Sequence, residues 1–167
     1  MQNKQLSIGD LVVYSTKGIC RVTEVVQKIF DREVRDYYVL SPIYDNRSTY
    51  FIPVDYDSDK VHIKDALQPD EAKALLQFAK TAKPLDWIAN PNERRQQFDR
   101  VYKAEPRREK IKLIKALKAH ERQQKAHGKQ LYAADSRILS GCEALIVDEL
   151  AHVLNLPQAD ILPYLEP

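Results

Sequence analysis

The chain has 167 residues, of which 44% are hydrophobic and 30% charged, a balance suited to one ordinary globular domain or two small ones. No apolar run approaches the ~18 residues that cross a bilayer, and "MQNKQLSIGD" lacks the apolar stretch of a signal peptide, so a cytoplasmic protein without membrane contact is expected. The net charge of +2 hides a partition: residues 1–86 carry net −1, residues 87–130 net +8 and residues 131–167 net −5.

Residues 8–67 read as strands. "DLVVY" (10–14) is a short β-rich run, and "STKG" follows with Gly18 available for a positive-φ turn. "ICRVTEVVQKIF" (19–30) alternates, with Ile19, Val22 and Val25 against Arg21, Thr23 and Glu24, and Val26 breaks the register. "DREVRD" reads as a polar hairpin tip. "YYVLSPI" (37–43) is a strand that Pro42 ends or confines to an edge. "DNRS" is a turn and "TYFIPV" (49–54) a fourth strand. Short, closely spaced strands with tight turns indicate a small antiparallel β-barrel of SH3 or Tudor size over residues 1–66.

The period changes after Val61, and residues 67–167 read as an all-α domain, giving an α+β chain. Pro69 at a first helical position, with Asp70 and Glu71 behind it, opens a helix over about 69–82. Lys83-Pro84 stops it. Asn90 is placed to cap a second helix, 91–104, with Pro91 at its first position. A third helix spans about 106–127, with Gly128 suited to its C-terminal cap. At 100° per residue it places Leu113, Ile114, Leu117 and His120 on one face. Arg108, Lys112, Lys115, Lys118 and Arg122 fall on the other. A fourth helix, about 135–154, carries Ile138, Leu139, Cys142, Leu145, Ile146, Leu150 and Val153. A short last element, about 157–164, lies between prolines.

Catalytic signatures are missing from the sequence. It has no phosphate-cradling glycine loop, no G-x-S-x-G and no C-x-x-C. His120 and His127 lie two helical turns apart, but a metal site needs more ligands at suitable spacing. Cys20 and Cys142 read as small buried hydrophobes. The expectation is a protein that is not an enzyme and uses neither cofactor nor metal. The +8 block suggests a polyanion partner, against a merely solvated helix face. Trp87, the single tryptophan, sits at a joint in "KPLDWIANPNERRQQ". It fits a hinge filler as well as an aromatic that stacks on or wedges beside a base.

"IGDLVVYSTKGICRVTEV", followed by "YYVLSPI" and "TYFIPVD", resembles the start of the bacterial CarD family of transcription regulators. The same pattern marks the RNA-polymerase-interacting module of the transcription–repair coupling factor. The Trp ahead of a basic helical region, and "EALIVDELA" (143–151) in a long apolar helix, extend the resemblance over about residues 7–155.

The resemblance implies a Tudor-like module that binds the RNA polymerase β subunit. It also implies a helical domain that touches promoter DNA, largely independently of sequence, at the upstream edge of the transcription bubble and stabilises the open complex. Carried over by position, Trp87 is the wedge. Arg94, Arg95, Arg108, Lys112, Lys115 and Arg122 are phosphate contacts. Lys28, Arg47, Tyr50 and Phe51 face the polymerase. A monomer associated with the nucleoid through polymerase is expected. Two features depart from the pattern: "IANPNE" separates Trp87 from the first arginine, and Phe51 stands where relatives carry Arg. The rival expectation is an interaction adaptor whose barrel docks a partner protein and whose basic helices bind no DNA.

Overall fold

Ile29↔Val34 and Phe30↔Glu33 close a long hairpin around Asp31 and Arg32, both in the left-handed region at φ 49° and 66°. Two such residues in sequence form the tight turn whose twist matches that of antiparallel strands. The expected broad polar tip is thus a two-residue turn. The structure, a computed structural model, describes residues 4–167. The chain divides into two compact units at Ala66/Leu67.

The first unit holds five strands: β1 (Leu11–Tyr14), β2 (Gly18–Phe30), β3 (Glu33–Pro42), β4 (Tyr50–Pro53) and β5 (Ile63–Asp65). Every pairing is antiparallel, in the order β4-β3-β2-β1-β5. Ser15–Lys17 form one 3-10 turn between β1 and β2, and Gly18 takes φ 92° after it. A register shift between Val22 and Glu24 explains the broken alternation of β2. The bulge shifts the parity of the strand, so Val25 rather than Glu24 pairs with Tyr38, while Val25 itself stays exposed. Leu6, Val12, Cys20, Val22, Tyr38, Leu40, Ile52 and Tyr56 form the core. The Tyr38 hydroxyl accepts from the Leu6 amide at 3.2 Å.

The expected closed barrel is not formed; the sheet is open. Closure requires the edge strands to exchange hydrogen bonds, and β4 pairs with β3 alone while β5 pairs with β1 alone. These edges are four and three residues long, and Pro53, which brings no amide donor, ends β4.

The second unit is helical: α1 (Pro69–Thr81), α2 (Pro91–Ala104), α3 (Arg107–Ala126), α4 (Ala133–Leu154) and the short α5 (Gln158–Ile161), with a 3-10 turn over Leu162–Leu165. Its caps follow the sequence. The Asn90 side chain accepts from the amides of Asn92 and Glu93, and Gly128 takes φ 68° beyond α3. The core gathers Leu75 and Leu76 from α1, Phe98 and Val101 from α2, Ile111, Leu113, Ile114 and Leu117 from α3, and Ile138, Cys142, Ile146 and Leu150 from α4. Helices α2 and α4 run in the same direction, for Arg94 meets Asp135 and Tyr102 meets Gly141. Their N-termini therefore lie side by side.

Candidate functional site

Arg94 organises the end where α2 and α4 begin. It is 3% exposed, and so is Asp135. The guanidinium reaches both carboxylate oxygens of Asp135 at 2.9–3.1 Å. Its remaining arm donates to the carbonyls of Ile88 and Ala89 at 2.9 and 3.2 Å. Those carbonyls belong to the "IANPNE" spacer. Arg94 thus fixes the segment that follows Trp87 instead of presenting a charge to solvent. Arg94, expected to contact phosphate, has its guanidinium bonded inside the fold.

Trp87 is half-buried. Its ring stacks on His120, with centroids 3.7 Å apart and an interplanar angle of 18°, and meets Phe98 edge-on at 5.7 Å. The Arg94 guanidinium lies 4.7 Å from the Trp87 ring and 5.5 Å from that of Tyr132. The indole packs against the core and keeps part of its surface exposed. His120 is held below its ordinary pKa by burial, then by the charge of Arg94, with Asp135 opposing. Tyr132, 64% exposed at the start of α4, was not foreseen as part of this group. No local signal marks it, because only the pairing of α2 with α4 brings it to Arg94.

The basic face expected on α3 is largely absorbed. Lys115 is 2% exposed, and its ammonium donates to the carbonyls of Ala79 and Ala82 at the end of α1. Burial lowers its pKa. Lys115, expected to contact phosphate, anchors the end of α1 in this arrangement. Lys118 lies 2.7 Å from Glu143 and 3.2 Å from Glu166. Burial pulls its pKa down, but these carboxylates raise it overall. Arg122 pairs with Glu166, and Lys112 with Glu109 at 3.3 Å. Arg107 grips Glu149 with two bonds of 2.6 and 2.7 Å, and Glu149 also accepts from the Leu67 amide. Arg108 remains exposed, with its guanidinium 4.6 Å from the Phe78 ring. Arg95 is exposed as well. Of the expected DNA contacts, Arg95 and Arg108 keep a charge at the surface without an ion pair among the described residues.

In the first unit Lys28 and Phe51 come together. Phe51 is 41% exposed, and the Lys28 ammonium sits 3.4 Å from its ring centroid. Glu24↔Val39↔Phe51 and Val26↔Tyr37↔Pro53 are cross-strand rows of the same face. Tyr50, next in the strand, points to the opposite face. It packs edge-on against Tyr14 at 5.4 Å, beside the core. Tyr50, expected to face the polymerase, thus lies on the other face of β4 from Phe51. Arg47 is exposed in a turn held by Asp45, which accepts from the Arg47 amide and the Ser48 hydroxyl. These bonds, that of Ser48 first, hold the Asp45 carboxyl below its ordinary pKa. Beyond the sheet, Ile29, Phe30 and Val34 are 56–73% exposed on the hairpin arm.

No group of three or more His, Cys, Asp or Glu among the described residues is arranged to hold a metal ion. No helix among them is long and apolar enough to cross a membrane. No curated protein matches the chain. Residues 6–62 match the family model of the CarD-like/TRCF RID domain, which spans β1 to β4 and the Lys28–Phe51 face. The first unit of this chain thus matches the CarD-like/TRCF RID domain over residues 6–62.

Proposed function

We propose that the chain is a transcription regulator without enzymatic activity. Its first unit, read as Tudor-like, docks on the β subunit of RNA polymerase. Its helical unit meets promoter DNA at the upstream edge of the bubble and favours the open complex. The observation that carries this reading is the family match over residues 6–62. The geometry adds support. Lys28 and Phe51 offer a cationic and aromatic pair on one sheet face, where an acidic or aromatic partner surface would find both. Trp87 is held from below by Arg94 and His120, so it meets DNA already oriented.

A factor shifts an equilibrium only by its differential affinity for the two states. One aromatic stacked on an exposed base contributes ~1–3 kcal/mol, roughly tenfold in lifetime. Trp87→Ala is expected to shorten open-complex lifetime about that much while co-purification with polymerase persists. Lys28→Glu with Phe51→Glu is expected to abolish co-purification. Unchanged lifetime removes the wedge, and unchanged co-purification removes the docking face.

One observation favours the adaptor reading. The acidic C-terminal segment neutralises much of the basic block through Asp135, Glu143, Glu149 and Glu166. An adaptor retains polymerase binding and shows no DNA dependence in either variant.

A further inference from the structure

Two of the guanidiniums that escape the internal neutralisation line the same groove. Arg95 on α2 and Arg137 near the start of α4 are exposed, and neither has a hydrogen bond or ion pair among the described residues. Both line one groove of about 320 Å³ between these parallel helices. Asp99 also lines it, but its carboxylate lies 2.9 Å from the Lys103 ammonium and so offers no uncompensated charge. Ala134 and Ile138 supply an apolar floor.

We propose that this groove is where the helical unit receives the sugar-phosphate backbone of DNA, with Arg95 and Arg137 on phosphate oxygens and the floor against deoxyribose. The proposal rests on the reading that this unit meets promoter DNA. It replaces the face expected on α3 with a site that includes Arg137, the single cation of a segment that is otherwise net negative.

The physical argument is one of exchange. A phosphate that approaches Lys118 or Arg122 must displace a carboxylate already in place, so little is gained. A phosphate that approaches Arg95 or Arg137 releases counterions and meets a planar fork suited to its oxygens. The N-termini of α2 and α4 lie at the same end, and their dipoles favour an anion there. Trp87 precedes α2 and Tyr132 caps α4, so both stand at the N-terminal ends of the two helices that form the groove.

The test is the anisotropy of a fluorescein-labelled DNA duplex with a mismatched bubble, titrated with the full chain between about 50 and 200 mM salt. Arg95→Gln and Arg137→Gln are each expected to lower the magnitude of the slope of log affinity against log salt by about one. Arg122→Gln, whose partner is Glu166, leaves the slope in place. Both groove positions are exposed, so unchanged thermal unfolding of the variants shows an intact fold. If the wild type binds and the double variant keeps its slope, the groove is overturned while the functional reading stands. If the wild type binds no DNA, the groove and the DNA half of the functional reading fall together, while co-purification with polymerase still decides the other half.

Discussion

Arg94 and Asp135 form a buried pair whose value lies in what each would become alone. The two charges satisfy one another and the linker carbonyls, with both residues 3% exposed. Removing one partner of such a pair leaves an uncompensated charge and costs ~3–5 kcal/mol. Asp135→Ala is expected to destabilise the helical unit by about that amount in urea. Trp87 emission should shift to the red as its segment loosens. His120 adds a pH dependence. Its folded pKa is depressed, so its contribution is complete above its unfolded value of about 6.5 and is lost as pH falls through the folded value. The Gln124 amide nitrogen lies 3.0 Å from His120 Nε2, where a neutral ring accepts and an imidazolium does not. His120→Gln is therefore expected to flatten the loss of stability below that pH, measured by thermal unfolding across a pH series. The thiols of Cys20 and Cys142 are pushed up to about 11 and about 12 by burial, which suits the small-hydrophobe reading of both.

At the scale of elements, α2 and α4 touch through a glycine. A Cβ at Gly141 would lie 2.4 Å from the Tyr102 hydroxyl oxygen and 2.7 Å from Cζ. Glycine within a helix costs ~1 kcal/mol relative to alanine, so the close approach is what retains it here. Gly141→Ala is expected to destabilise the chain, since overpacking costs ~1–3 kcal/mol. In a Tyr102→Ala background the same change is expected to stabilise by ~1 kcal/mol. The sign reversal is read from a double-mutant cycle in urea. The α3 helix teaches a related lesson. Its 100° spacing predicts one wet face, yet Lys110, Ile111 and every residue from Leu113 to Leu117 are buried, and only Lys112 among them is partly open. The middle of this helix is covered on most sides, and its lysines bury their stems while the ammonium groups of Lys115 and Lys118 find carbonyls or carboxylates.

Within the helical unit the third part of the chain folds back on the second, so segments of opposite charge meet. The net −5 of residues 131–167 meets the net +8 of residues 87–130 in four places: Asp135 with Arg94, Glu143 with Lys118, Glu149 with Arg107, and Glu166 with Lys118 and Arg122. Glu166 sits near the C-terminal end and is 40% exposed, so removing its charge leaves the core untouched. Glu166→Gln is expected to free Arg122 and steepen the salt dependence of DNA binding by about one, in the anisotropy titration given above.

Local chemistry was readable without a fold. Pro69, Asn90 with Pro91, and Gly128 mark the helix ends where the structure has them, because capping and positive φ depend on neighbours in the chain. Gly18 marked its turn for the same reason, and the "IGDLVVY" pattern pointed to the domain that residues 6–62 match. What depends on distant partners was not readable. The open edge of the sheet, the three-residue β5, and the second parity of β2 after its bulge arise from pairing across the chain. So does the difference between a cation that faces water and one already satisfied. Arg94 and Arg95 are adjacent and identical in type, yet one is sealed against Asp135 and the other is exposed beside Arg137. Charge is a property of the sequence. Its availability is decided by which carboxylates the tertiary structure brings within a few ångströms, and that is what moved the candidate DNA surface from α3 to the groove between α2 and α4.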